Sequence, residues 1–419
     1  MARPRVAVLH HERSYFPLDL HEAVWEHVEL LWVVTASEDP AGLRLLRRLG
    51  DVVDISGMDV DEAARALAAR RPDGIVTFVD DHLVLAADLA ARLGLRHHTP
   101  EAARAMADKR LQRAALERAG VPGPRFWPVP GGAGEAEIDE VGAAVRYPAV
   151  LKQAFGMGSR HMHLLCGPED LRALLAEGEI GPDGCVIEKR LEDDPDHDPR
   201  FASYLSVESV IAGGRVVHAA LCGRFPLAAP FRETGNVIPA VVPAGLEPQL
   251  LAIVDAAIAA LDIRTAVIHT EIKLTPDGPA LIEVNGRLGG RPPFVLRRVS
   301  DTNLFAAACL AAAGEPTGVD GPARCTGVGY WLMLQPPLDA RRVLAMEGVA
   351  GLSQRPDVDV VAVRRRPGEA VDWREGTDGT VLVVRGAVGD HDELARTVAD
   401  IRRQVRVDYE RCSAPVAVR

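Results

Sequence analysis

Val267-Ile268-His269-Thr270-Glu271-Ile272-Lys273-Leu274, followed after a short gap by Leu281-Ile282-Glu283-Val284-Asn285-Gly286-Arg287, is the stretch on which the reading of this chain turns. Thr275-Pro276-Asp277-Gly278 between the halves is a turn signal, because Pro presets φ and Gly tolerates positive φ. With residues 275–279 as the loop, Glu271 falls opposite Glu283 and His269 opposite Asn285. Strand alternation then places His269, Glu271, Lys273, Glu283 and Asn285 on one face. Ile268, Ile272, Leu274, Ile282 and Val284 take the other, with Thr270 as the polar exception. Cross-strand carboxylates lie only roughly 5 Å apart and repel unless one is protonated or a cation sits between them. Two acids and an amide oxygen are hard donors suited to a Mg²⁺ shared with substrate phosphates. A solvated polar sheet face neutralised by Lys273 accounts for the same residues, and on this stretch alone the two readings stand level.

The rest of the chain narrows the choice. Only four of its 48 basic residues are lysine: Lys109, Lys152, Lys189 and Lys273. Where arginine serves as the general surface cation, each lysine becomes a candidate for work that needs a compact ammonium charge. A net charge of −11 over 419 residues argues against nucleic acid or an anionic membrane as the main partner. The six cysteines form no C-x-x-C pair, which fits a reducing cytosol. Residues 6–9 already read as a strand, with no signal-peptide pattern before them, and the apolar run 304–313 is too short to span a bilayer. A soluble cytoplasmic protein is expected.

Strand runs at 6–9, 30–34, 52–55 and 74–78 alternate with helical runs at 41–49, 60–70 and 83–93. That alternation predicts a Rossmann-like parallel sheet over residues 1–98. The dinucleotide fingerprint G-x-G-x-x-G is missing after the first strand, where His10-His11-Glu12-Arg13 stand instead. Thr99-Pro100-Glu101 opens a linker helix in residues 99–124, with Lys109 expected in its middle. Residues 125–190 read as a small α+β unit in which the strand ending at Lys152 runs into Gly156-Met157-Gly158-Ser159-Arg160. A lysine before a glycine-bearing loop can cradle a phosphate, although the Walker pattern is absent. His161 and His163 share a strand face, but the sequence supplies no third ligand at a convincing spacing, so no metal site is assigned there. Residues 191–318 hold the opening hairpin, an irregular segment over 225–239, and Gly289-Gly290 before a helix, where exposed N–H groups can hold an anion. Residues 319–419 read as a final α+β unit.

Taken in order, Asp108-Lys109, Tyr147-Pro148-Ala149-Val150-Leu151-Lys152 with its loop, Val186-Ile187-Glu188-Lys189, His269-Thr270-Glu271 and Glu283-Val284-Asn285-Gly286-Arg287 resemble the ATP-grasp ligases over essentially the whole chain. His269–Lys273 and the 319–419 unit look most like the L-amino acid ligase group. The resemblance implies an α/β and α+β ATP-grasp fold: a Rossmann-like domain, two α+β grasp subdomains (125–190 as the lid, 191–318 as the large one) and a C-terminal α+β unit. It implies that Lys109, Lys152, Gly156, Gly158 and Ser159 meet the phosphates of ATP, and that the backbone of Glu188 and Lys189 meets the adenine edge. Glu271, Glu283 and Asn285 would hold Mg²⁺, with Mn²⁺ as the alternative ion. Arg287, with Gly289 and Gly290, would stabilise an acyl phosphate. His269, Arg224, Arg232 and Arg291 are candidate substrate contacts.

The implied activity is ATP-dependent joining of a small carboxylate to an amine, most simply two amino acids, with release of ADP and phosphate. A ligase using formate or another small carboxylate on a purine-type amine is the alternative within the superfamily. A nucleotide-binding regulator without turnover is the alternative outside it. Small-molecule substrates are the expected partners, with no nucleic acid and no membrane, and a homodimer is one option for assembly.

Overall fold

The computed structural model describes residues 2–36, 38–156, 158 and 160–412. Its N-terminal region is β1 (Arg5–His10), α1 (Pro17–Val24), β2 (Glu29–Val34), α2 (Pro40–Leu49), β3 (Asp51–Asp54), α3 (Val60–Ala68), β4 (Gly74–Thr77) and α4 (Leu83–Leu93). The strands are the expected apolar runs, and they form a parallel sheet in the order β3-β2-β1-β4. Such strands must be buried on both faces, so β1 and β2 supply residues to two separate apolar clusters.

The linker helix is broken in two. α5 (Pro100–Ala107) and α6 (Lys109–Arg118) meet at Asp108, whose φ of −93° and ψ of 111° end one helix and cap the next. The Asp108 carboxylate accepts from Arg110 N at 2.9 Å, as an N-cap aspartate does. Lys109 is therefore the first residue of a helix rather than a mid-helix charge, and its own N–H donates to Ala154 O at 2.9 Å.

The region expected as the lid comprises β5 (Phe126–Val129), α7 (Glu135–Ala144), β6 (Ala149–Gln153), β7 (His163–Leu165), α8 (Pro168–Ala176) and β8 (Cys185–Lys189), with an antiparallel sheet ordered β5-β8-β6-β7. The large unit contains β9 (Tyr204–Ala212), β10 (Arg215–Arg224), β11 (Gly235–Ile238), α9 (Glu247–Ala260), β12 (Ala266–Thr275), β13 (Gly278–Asn285), α10 (Pro292–Val299) and α11 (Leu304–Ala313). Then come β14 (Val328–Leu334), β15 (Ala340–Glu347), β16 (Val358–Val363), β17 (Leu382–Val388), α12 (His391–Gln404) and β18 (Arg406–Arg411). Strands from the last hundred residues join the large unit in one eight-stranded sheet, β13-β12-β9-β10-β11-β14-β17-β16, while β15 and β18 pair separately.

The hairpin β12–β13 pairs His269 with Asn285 and Glu271 with Glu283, as expected, but by a different route. Thr275 pairs with Gly278, so the turn is tighter than the expected loop. A bulge between Glu271 and Ile272 then restores the register. Because of the bulge it is Leu281, fully buried, that joins Ile268, Ile272, Leu274 and Val284 against α9. Ile282, expected on that apolar face, instead lines the cleft. Helix α11 is packed between the parallel sheet and the large sheet. At Gly74 a Cβ would lie 2.6 Å from the Ala312 carbonyl carbon, so only glycine permits that approach. Among the described residues no helix is long and apolar enough to cross a membrane.

Candidate active site

A cleft of about 1260 Å³ opens where the lid, the large sheet and the carboxyl edge of the parallel sheet meet. The polar face of the hairpin forms part of its wall: His269, Glu271, Lys273, Glu283, Asn285 and Arg287 all line it. Lys109 from α6 and Lys152 from β6 enter from other sides. Residues far apart in sequence thus converge, which a solvated sheet face does not require.

Each hairpin acid has its own cation. Lys109 Nζ lies 2.9 Å from Glu283 Oε1 and also donates to Gly156 O at 2.8 Å. Burial disfavours the ammonium, but Glu283 and Asp80 outweigh it, so Lys109 titrates above the usual lysine range. Glu271 Oε1 lies 3.3 Å from His269 Nε2 and 3.7 Å from Arg224. Burial raises the Glu271 carboxyl, yet the imidazole and guanidinium win and hold it down at about 2. The like-charge problem posed by the sequence is therefore met by two separate counter-ions, with both carboxylates available as donors.

His269 is held from behind. Its Nδ1 lies 2.6 Å from Glu208 Oε1, which also accepts from Ser206 Oγ at 2.9 Å. Burial lowers the imidazole, but Glu208 and Glu271 raise it to about 9, so it is an imidazolium at neutral pH. A Cβ on Gly289 would sit 2.5 Å from His269 Nδ1, so this glycine gives the ring its room. Gly289 O accepts from Tyr15 OH at 2.6 Å, while Gly290 is exposed and lines the cleft.

Arg287 places Nε and Nη2 at 3.1 and 2.6 Å from Asp80 Oδ2, and Nη2 also donates to Asn285 Oδ1 at 3.2 Å. Asp80 follows β4 at the carboxyl edge of the parallel sheet, where doubly wound folds commonly present functional groups. On the lid, Glu188 bridges Arg113 Nε at 2.5 Å and Lys152 Nζ at 2.9 Å. Burial raises its carboxyl, but the two cations hold it at about 2. Lys189 Nζ turns to Tyr147 O at 3.3 Å, and its backbone N–H bonds Arg125 O. Lys273, thought of as a plain neutralising charge, ion-pairs with Asp193, which also lines the cleft.

In the glycine loop, Gly156 and Gly158 adopt φ of +130° and +71°, values that disfavour side-chain-bearing residues. Gly158 O accepts from Thr377 N at 3.1 Å, which ties the loop to the C-terminal region. Ser159 lies outside the described residues. Of the arginines proposed as substrate contacts, Arg291 lines the cleft and lies 2.9 Å from Glu233 Oε2. Arg232 does not line it; its guanidinium is spent on Ala229 O and Pro336 O, both at 2.8 Å, and so pins its own segment. Fully buried Arg224 binds Glu233 at 2.9 Å and organises the floor beneath Glu271.

The sequence does not single out Asp80, Arg113 or Glu208, and offers Glu233 only as part of the irregular 225–239 segment, a candidate mobile substrate loop. Of these, Glu208 leaves a usable signal: with Ser206 it is a polar pair at period two in a buried strand whose only other small polar residue is Ser209.

Comparison with known proteins is consistent with this geometry. No family model matches the chain. It is 32% identical over 268 residues to carnosine synthase 1 of Gallus gallus, covering 59% of this chain but only 28% of that relative, so it spans little more than a quarter of the relative's length. Among solved structures, an L-amino acid ligase from Bacillus licheniformis superposes with a TM-score of 0.76 at 16% identity, over 98% of this chain and 100% of the other. An N5-carboxyaminoimidazole synthetase from Staphylococcus aureus complexed with ADP gives 0.72 at 13% identity, over 96% and 98%.

Proposed function

We propose that the chain, whose fold superposes on ATP-grasp ligases, is itself an ATP-dependent carboxylate–amine ligase of that superfamily acting through an acyl phosphate. The single observation that carries this reading is the convergence of Glu271, Glu283, Asn285 and Arg287 with Lys109 and Lys152 on one cleft. A site that only bound nucleotide would have no use for the second carboxylate or for the arginine.

Lys109 and Lys152 supply ammonium charges for the phosphates, under the loop held by Gly156 and Gly158. The N–H groups of Lys189 and Arg190 are already bonded to Arg125 O and Pro148 O. Leu191, the next residue along, lines the cleft, which makes its backbone the candidate for the adenine edge. A divalent cation suits the hairpin: Glu271 is ionised, and with Glu283 and Asn285 it offers hard oxygens of the kind Mg²⁺ or Mn²⁺ takes. Bound there, such an ion neutralises charge on the phosphates during transfer.

The substrate carboxylate attacks the γ-phosphorus, the bond to the β-phosphate oxygen breaks, and ADP leaves. Arg287, fixed by Asp80, steadies the acyl phosphate as charge develops. The amine nitrogen then attacks the acyl carbon, phosphate leaves, and the amide forms with loss of a proton. Arg291 and Glu233, 2.9 Å apart and both lining the cleft, offer one group for a carboxylate and one for an ammonium. That pairing favours amino acids as substrates.

The test is release of ADP and phosphate over pairs of amino acids, with Mg²⁺ and with EDTA. Turnover that needs two substrates and is abolished by EDTA is expected. Release of AMP would refute the acyl-phosphate route, and absence of pair-dependent turnover would favour a regulator.

A further inference from the structure

We infer that His161, His163 and Glu179 form a second metal site, on the far side of the lid segment that follows the glycine loop, for a borderline transition-metal dication of the Zn²⁺ class. Sequence spacing supplied two histidines and no third ligand. The fold supplies it by returning the chain through α8, so that Glu179 arrives beside β7. One carboxylate oxygen, Glu179 Oε2, lies 2.9 Å from His161 Nδ1 and 3.2 Å from His163 Nε2. The three ligand atoms all fall within 4.8 Å of one another. Two imidazoles and one carboxylate are a ligand set for Zn²⁺, Co²⁺ or Ni²⁺, with room for solvent in a remaining position. Mg²⁺, which prefers oxygen, is a poor match.

The supports of the site are rigid. The backbone of Glu179 is fixed at both ends, its N–H bonding Leu174 O at 2.9 Å and its carbonyl accepting from Gln153 Nε2 at 2.6 Å. His163 sits on β7 opposite Leu151, one residue from Lys152. His161 holds a left-handed φ of 49°, a conformation uncommon for a side-chain-bearing residue. The three residues line a small cavity with Phe231, Arg232, Trp373 and Arg374. Of the two arginines, Arg374 pairs with Asp372 and lies over the Trp373 ring, while Arg232 stays charged but is held on two carbonyls, Ala229 O and Pro336 O, so the Glu179 carboxylate is what offsets its charge at the site.

The position of the site has a consequence. His163 opens β7, His161 lies in the turn just before it, and both line this cavity, while Arg160 lines the nucleotide cleft and Met162 lines both. A metal gripping His161 and His163 fixes the segment that presents Arg160 and Met162 to the cleft and anchors the outgoing end of the glycine loop. The loop is also tied to the C-terminal region through Gly158 O and Thr377 N, close to the Trp373 that lines the metal cavity. Metal and nucleotide binding are then coupled, and each tightens the other reciprocally.

The test uses full-length protein stripped by chelation and held in excess Mg²⁺, with Co²⁺ and Zn²⁺ as probes. Co²⁺ is expected to give visible bands of low-coordinate geometry at one equivalent per chain. Zn²⁺ should bleach them, and ADP should tighten the binding. The double variant His161→Ala/His163→Ala should lose this equivalent while keeping metal-free thermal stability within a few degrees. Glu179→Gln, which leaves both histidines in place, should weaken Co²⁺ at least tenfold. Wild-type protein without the Co²⁺ bands, or a double variant that takes up Co²⁺ like wild type, overturns the assignment. Binding that survives the histidine changes would place the ion elsewhere and overturns it equally.

Discussion

Replacing Glu188 by Gln removes the anion between Lys152 and Arg113 without changing its shape. The Glu188 side chain is only 6% exposed, and its carboxyl sits at about 2 instead of the usual 4.5. That depression corresponds to roughly 3 kcal/mol of stabilisation. Breaking a buried pair by deleting one partner gives a similar figure, about 3–5 kcal/mol. Arg113 keeps its bonds to Leu281 O at 3.2 Å and to Ile282 O, so the lower figure is expected. Because the folded value lies below the unfolded one, the contribution is fully present above about pH 4.5 and is lost as pH falls through about 2. Hydrogen exchange of the β6 and β8 amides reads the loss locally, without assuming that a multi-unit chain unfolds in one step. Exchange in the variant should be about 100-fold faster, the ratio for roughly 3 kcal/mol. The gap should stay flat from pH 8 to 5. A gap under about 0.5 kcal/mol, the level of an ordinary surface change, would refute the reasoning. So would a gap that narrows between pH 8 and 6, because it would assign the effect to another group.

Other outcomes follow from the site. Leu281→Ala should cost about 2–5 kcal/mol by leaving a core cavity. Ile282→Ala should cost far less and instead raise the KM for ATP; urea denaturation and steady-state kinetics would show the reverse order if the hairpin lacked its bulge. Arg287→Lys loses the two-pronged contact with Asp80. It should lower kcat by about 100-fold or more, on the scale of removing one oxyanion donor, with little change in KM for ATP; an unchanged kcat would remove Arg287 from the chemistry. Glu283→Gln should raise the Mg²⁺ concentration for half-maximal turnover about 10-fold or more, and turnover undiminished at limiting Mg²⁺ would remove Glu283 from the ligand set.

Much of this was legible in the sequence because it is local. Alternation in β12 and β13 sets which residues face the cleft, and scarcity of lysine marked Lys109 and Lys152. The register came out right although the turn is shorter than its residues suggest, because the bulge at Glu271/Ile272 compensates. No propensity marks such a bulge; packing of Leu281 against α9 decides it. The break at Asp108 was hidden because aspartate is also an ordinary exposed helix residue. Asp80 and Arg113 became visible only in space, since each is defined by a partner brought up by the fold from another part of the chain. Glu179 is the same kind of residue, separated from His163 by α8.

Activation of the carboxylate by phosphorylation leaves an isotopic trace that one measurement reads directly. Incubate the protein, Mg²⁺, ATP and an amine partner with a substrate whose carboxylate carries ¹⁸O in both positions, then weigh the released phosphate by mass spectrometry. An acyl phosphate transfers one labelled oxygen from the carboxylate to phosphate and leaves the other in the amide. One ¹⁸O in phosphate, appearing in step with ADP, is the expected result. Unlabelled phosphate formed alongside amide, or label recovered in AMP, would contradict the account.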